Sequence, residues 1–177
     1  RALVQEPKVI LMDEPTSSTD VSVQAQTLNL MKDLQKEFNL TYMFISHNLS
    51  VVKHMSDRIA VMYLGKIIEL TPHDIFRKPL HPYTFALVSA VPVPDPRFAG
   101  KAQILAGEVP SPINPPPGCR FHPRCIFATE KCMRDQPELR DIGDGHLVAC
   151  HYAGELDFGT SAQQDYAQAV GEAGAMN

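Results

Sequence analysis

The first 64 residues contain no glycine, and nowhere in the chain do two glycines stand together. A loop that cradles phosphate needs glycines so that its backbone N–H groups can approach the anion, as in GxxxxGK[ST]. That pattern is absent, so the 177 residues carry no phosphate-binding loop of their own. Long apolar runs are missing as well. The longest stretches, around Val9 to Met12 and Phe85 to Val91, fall far short of the roughly 20 residues that a bilayer-spanning helix needs, and no signal-peptide pattern opens the chain. A basic stripe is lacking too: the net charge is -4, and direct nucleic-acid binding has little electrostatic support. That charge comes from the end, where Glu155, Asp157, Asp165 and Glu172 follow Gly154 without a single Lys or Arg. Residues 155–177 therefore read as a solvated, disordered acidic tail.

What is present begins with Val9-Ile-Leu-Met-Asp13-Glu14-Pro15. Four apolar residues in a row suit a strand buried on both faces, and a carboxylate pair at its end sits at the rim where α/β sheets bind ligands. In that position Asp13 suits a magnesium ion, held directly or through water, and Glu14 suits the water that attacks a terminal phosphate. Taken alone, the pair is equally well read as acids at the start of the next helix.

From Val21 the apolar positions Ala25, Leu28, Met31, Leu34 and Phe38 recur every three or four residues, which predicts a helix with one face against the sheet, capped by Asp20 or Ser22. A strand over 41–46, a helix over 49–55, and strands over 58–63 and 66–70 joined by a turn at Leu64-Gly65 follow by the same reasoning. This alternation predicts an α/β domain.

The string Asp13-Glu-Pro-Thr-Ser-Ser-Thr-Asp20, followed by Tyr42-Met-Phe-Ile-Ser46 and His47, resembles the Walker B motif, D-loop and switch histidine of ABC-type ATPases. The resemblance implies ATP and Mg²⁺ as ligands and gives each residue a role. Glu14 polarises the attacking water, His47 contacts the γ-phosphate, Asp13 holds magnesium, and Asp20, with Ser17 beside it in the D-loop, belongs to the nucleotide and subunit interface. Ser18 and Thr19 stand where that family commonly has Ala-Leu, and Asn48 where an aspartate commonly follows the histidine. The family's LSGGQ-like signature is absent, and Arg1-Ala-Leu resembles the helix end just after it. The expected fold is thus the C-terminal half of a P-loop ATPase domain, cut from a longer subunit and inactive alone.

Composition shifts after about Phe76: eleven of the fifteen prolines lie between Pro79 and Pro123. Residues 1–78 read as the ATPase part and 79–154 as a separate extension. Tyr83 to Ala90 is a predicted helix with Pro82 in its first turn, whereas Val109 to Gly118 is too proline-rich for a helix or a central strand. All four cysteines fall in this region as Cys119-x5-Cys125-x6-Cys132-x17-Cys150. Four thiolates suit a [4Fe-4S] cluster or a tetrahedral zinc, and either would tie together a segment that buries little apolar surface. Zinc-ribbon CxxC knuckles are lacking, and disulfides are the remaining alternative. His122 and His151 stand beside cysteines and could replace one.

The segments Gly65 to Pro92, with its His81-Pro-Tyr-Thr, and Gly107 to Tyr152 resemble the C-terminal extension of ATPase subunits from bacterial peptide- and nickel-type ABC importers. That resemblance implies uptake of dipeptides, oligopeptides or related solutes, and Cys119, Cys125, Cys132 and Cys150 as ligands of a [4Fe-4S] cluster. Its implied partners are a second ATPase subunit, transmembrane permease subunits and, indirectly, an extracytoplasmic solute-binding protein. Its implied place is the cytoplasmic face of the inner membrane. Two alternatives stand beside it: an ABC ATPase acting outside transport, and a non-catalytic metal-binding regulatory module.

Overall fold

The computed structural model describes residues 2–17, 19–72, 75–91 and 105–158, in two compact units divided between Asp57 and Arg58. The first unit opens with a 3-10 turn, Ala2–Gln5, followed by strand β1 (Val9–Asp13), helix α1 (Val21–Glu37), strand β2 (Thr41–Ile45) and helix α2 (Leu49–Met55). β1 and β2 pair in parallel, from Val9 against Thr41 to Asp13 against Ile45, as a helical crossover between them allows.

Local chemistry sets the helix ends. Asn39 takes a left-handed φ of 50°, and the Leu40 N–H donates to the Gln35 carbonyl at 3.0 Å, which closes α1 with a Schellman bond in which asparagine replaces the usual glycine. Asn48 caps α2, its Oδ1 accepting from the N–H groups of Ser50 and Val51 at 3.1 and 3.4 Å. Because only a side-chain oxygen is needed there, asparagine serves where an aspartate is common. Asp20 occupies the N-cap position of α1, but its carboxylate makes no capping bond.

Two expectations about burial fail. β1 is not buried on both faces: Val9 and Leu11 are 60% and 63% exposed, and Met43 opposite Leu11 is 60% exposed. The parallel pair stands as a two-stranded sheet. Its half-buried face is that of Tyr42, whose hydroxyl reaches the Met31 carbonyl of α1 at 3.0 Å. For the same reason α1 buries only Leu28 fully among its described side chains, leaving Ala25 and Phe38 exposed.

The described strands form two sheets. In the second unit, β3 (Ile59–Tyr63) and β4 (Lys66–Thr71) form an antiparallel hairpin. Leu64 and Gly65, at φ 44° and 76°, supply the two positive values that a type I′ turn requires. β5 (Arg140–Asp141) and β6 (Leu147–Val148) complete an antiparallel sheet of order β3-β4-β6-β5. The hairpin expected within residues 1–78 and the extension thus share one sheet, although composition changes only after Phe76. Helix α3 (Pro82–Ser89), a 3-10 turn at His122–Arg124 and helix α4 (Glu130–Arg134) lie in the same unit.

Its core joins Tyr63, Ile68 and Phe121. Tyr83 brings its ring to 4.7 Å from Tyr63 and 5.5 Å from Phe121 between centroids. The start of the predicted acidic tail is anchored: Phe158 stacks on Phe85 at 4.8 Å and meets Phe127 edge-on. Residues 159–177 of that tail, and residues 92–104 of the proline-rich segment, lie outside the described residues.

Candidate functional site

The carboxylate pair and the histidine come from the ends of adjacent parallel strands. Glu14 continues the ladder, its N–H donating to the Ile45 carbonyl at 2.9 Å. This places its side chain beside the chain that leaves β2, and Glu14 Oε1 meets His47 Nδ1 at 2.6 Å. Glu14 has a left-handed φ of 45°, a conformation that costs a residue with a Cβ about 1–2 kcal/mol. Hydrogen bonds hold it there: the Ser17 N–H and hydroxyl both donate to the Glu14 carbonyl, at 3.2 and 3.0 Å. The Thr19 hydroxyl donates to the Thr16 carbonyl at 2.9 Å, and Gln24 Nε2 donates to Thr16 Oγ1 at 2.9 Å. Residues 14–17 and Thr19 thus lie in a braced turn between β1 and α1.

Asp13 is the last residue of β1 and is exposed; Asp20 begins α1 at the far end of the turn. The structure brings Glu14 and His47 into contact and ties Ser17 to the Glu14 backbone. Among the described residues, no side-chain hydrogen bond is made by Asp13 or Asp20.

All four cysteines line one cavity, together with His81, Phe121, Phe127 and Tyr152. None is in a disulfide. The Cys119 N–H donates to the Cys132 carbonyl at 2.8 Å, and the Cys125 N–H to the His122 carbonyl at 3.2 Å. Burial pushes the Cys125 and Cys150 thiols up to about 11, backbone hydrogen bonds pull them back, and the neighbouring cysteines push them up further. Burial also raises Cys119. Neighbouring cysteines thus contribute to the raised values of Cys119, Cys125 and Cys150. Among the described residues, no group of three or more His, Cys, Asp or Glu is arranged to hold a single metal ion. His122 Nδ1 lies 2.9 Å from the Cys119 carbonyl and His151 Nε2 2.9 Å from that of Asp135, so each commits one ring nitrogen to the backbone.

Gly118 makes this ring of cysteines possible. Its φ is 65°, and a Cβ built there would stand 2.4 Å from the Cys132 carbonyl oxygen and 2.8 Å from the Met133 backbone. Gly118→Ala is expected to destabilise the second unit by about 1–3 kcal/mol, because the obstruction is backbone. Chemical denaturation of the two chains checks this; equal midpoints would dismiss it.

Sequence reasoning missed a buried carboxylate network. Glu69 is fully buried in β4; its Oε1 accepts from the Leu80 N–H at 2.8 Å and from His146 Nε2 at 2.7 Å, and its Oε2 from the His81 N–H at 3.0 Å. One carboxylate thereby ties the sheet to the start of α3 and to the turn before β6. The only sequence signal was an acid inside an otherwise apolar strand.

Residues 68–132 match the family described as the oligopeptide/dipeptide transporter, C-terminal region. The chain is 56% identical over 154 residues to an oligopeptide transport ATP-binding protein of Bacillus subtilis, covering 85% of this chain and 47% of that protein. It is 55% identical over 153 residues to a dipeptide transport ATP-binding protein of Haemophilus influenzae, covering 86% and 47%. Against a di/tripeptide transport ATP-binding protein of Pseudomonas aeruginosa it is 54% identical over 157 residues, again 86% and 47%. The chain spans about half the length of these relatives. The resemblance carried by the motifs thus extends over most of the chain.

Proposed function

From a chain that matches part of the ATP-binding subunits of bacterial peptide ABC importers, we infer that it is the C-terminal half of such a subunit, hydrolysing ATP to drive uptake of dipeptides, oligopeptides or related solutes. The observation that carries this reading is the 2.6 Å contact between Glu14 and His47 at the ends of two parallel strands. A carboxylate there can take the proton of an attacking water, and an imidazole beside it can reach the phosphate that receives the attack. Asp13 supplies the oxygen ligand for Mg²⁺, and Asp20 and Ser17, in the braced turn, face the second ATPase subunit. On this reading the phosphate-cradling loop and the signature are supplied by sequence outside these 177 residues.

The contact also dictates how His47 works. A neutral imidazole that donates from Nδ1 to an ionised Glu14 has only a lone pair at Nε2. Donating to a phosphate therefore requires that the ring be protonated or that it leave Glu14. Where the ring leaves Glu14, nucleotide arrival exchanges one partner of His47 for another and frees Glu14 for water.

Closure of two such subunits on ATP would move permease subunits between their two states, at the cytoplasmic face of the inner membrane. No helix among the described residues is long and apolar enough to cross a membrane. The test is ATP hydrolysis by the longer subunit in membranes containing its permease and binding protein. Turnover stimulated by peptide is expected; turnover indifferent to permease and peptide would favour an ATPase that works outside transport.

The four cysteines are proposed to hold a [4Fe-4S] cluster. Four unpaired thiols around one largely apolar cavity are the donor set for it, and their ligation would tie the segment from Gly118 to Cys150 together. A single zinc, with Zn–S bonds of about 2.3 Å, would need all four sulfurs drawn tightly about one point. Anaerobically purified protein is expected to carry about four irons and four sulfides per chain. Cys125→Ser should lose most of both. Stoichiometric zinc without sulfide would end this assignment.

A further inference from the structure

The second unit holds another cavity, of about 430 Å³, within the size range of small-molecule sites. It opens where the sheet is incomplete. β6 pairs Val148 with Glu69 of β4 on one side and with Arg140 of β5 on the other, and Leu147 with Leu70 and Asp141. β4 and β5 therefore run in the same direction, and β6 ends between them. Past Val148, the Ala149 N–H donates to the Ile68 carbonyl at 2.8 Å. Beyond that bond the cavity is lined by the start of β4, Lys66 and Ile67, and by the segment before β5, Gln136 to Leu139. Paired strands lie about 4.8 Å apart, so two spacings, about 10 Å, separate the backbones of these two sides.

The two sides differ in charge. Lys66 follows the Leu64-Gly65 turn, and Arg120 donates from Nη1 to the Leu64 carbonyl of that turn, which brings both cations to the β4 side. Glu138 and the Gln136 amide stand on the other. Among the described residues no ion pair joins Lys66 or Arg120 to Glu138, so the cavity keeps a positive and a negative side. We propose that it binds a short zwitterionic peptide, with the carboxylate against Lys66 and Arg120 and the ammonium against Glu138. Two cations alone would suit any anion, but Glu138 disfavours one. A single amino acid spans only about 3.5 Å, whereas an extended dipeptide spans about 7 Å and can meet both sides. Gln136 can donate to and accept from the peptide group between the two ends. Ile67 and Leu139, 40% and 38% exposed, offer apolar surface to the ligand's side chains. The choice of a peptide over other zwitterions of this length rests on the peptide-uptake reading above; the charge pattern does not.

The test is calorimetric titration of the whole chain with alanyl-leucine, its N-acetylated form, its C-terminal amide, free leucine and inorganic phosphate. Alanyl-leucine is expected to bind, and each blocked form to bind about tenfold more weakly, since each loses one charge-assisted contact. Lys66 and Glu138 are exposed, so Lys66→Gln and Glu138→Gln should keep the parent's thermal midpoint. Glu138→Gln is expected to weaken alanyl-leucine about tenfold while leaving the N-acetylated form at its parent affinity. Lys66→Gln should weaken alanyl-leucine in the same way and spare the amide. No binding of alanyl-leucine at millimolar concentration would overturn the proposal, as would equal affinity for the N-acetylated form. Leucine or phosphate bound as tightly as the dipeptide would also overturn it, because the site would then read one end only. ATP turnover by the longer subunit that ignores peptide would instead sink the uptake reading and leave the binding measured here standing.

Discussion

Glu14→Gln, introduced into the longer subunit, is expected to leave ATP binding intact and to cut turnover by about 10²–10⁴-fold, the range that a positioned general base supplies. The amide fits the space of the carboxylate, and its oxygen can still accept the hydrogen bond that His47 Nδ1 gives Glu14 Oε1 at 2.6 Å. The braced turn behind it, built from Ser17, Thr16 and Thr19, uses the Glu14 backbone and not its side chain. Geometry is therefore preserved while basicity is removed. Nucleotide binding measured by a fluorescent ATP analogue, beside phosphate release, separates the two effects. Near-normal release would remove Glu14 from the mechanism, and lost binding would make it a ligand of the nucleotide instead.

The elements that carry Glu14 and His47 were legible, but the contact between the two side chains, which spans 33 residues of sequence, was not. Strand ends, turn residues and spacing placed the two at neighbouring edges, and the parallel register of β1 and β2 follows from a strand, helix, strand order. The Leu49–Met55 helix and the Leu64-Gly65 hairpin were legible because caps and turns act within a few residues. Two further things were not. The alternation along β1 was hidden by four apolar residues in a row, which read as burial on both faces but leave Val9 and Leu11 exposed. The sharing of β4 with β6 was hidden by distance: Leu70 pairs with Leu147, and Glu69 with Val148, across a proline-rich stretch, and strands of two residues carry no periodic signal. The cysteines announced a shared site, whereas the histidine facing it is marked only by its place before Pro82.

Glu69→Ala is expected to be the most damaging single change in the second unit. Removing the carboxylate strips the acceptor from the Leu80 N–H, the His81 N–H and His146 Nε2 together, in a place where water has no ready access because Glu69 is fully buried. Each stranded donor costs about 1–3 kcal/mol, and breaking a buried pair by deleting one partner costs about 3–5 kcal/mol in all once the surroundings relax. Glu69→Gln should cost less, since its single oxygen still serves one or two donors while its amide faces the third. The reach of the damage identifies what Glu69 does. It connects β4 to the N-terminus of α3 through residues 80 and 81, and through His146 to the turn that leads into Val148 and Cys150. Its loss should therefore loosen the cysteine cavity, whose lining includes both His81 and Cys150. Denaturation followed by near-ultraviolet circular dichroism reports on Tyr63 and Tyr83, which pack at 4.7 Å in this core. The expected order of midpoints is parent, Glu69→Gln, Glu69→Ala, with the iron content of Glu69→Ala falling as well. An alanine variant as stable as the parent would mean that water replaces the carboxylate at no cost and that β4 and the cysteine cavity are held together without it.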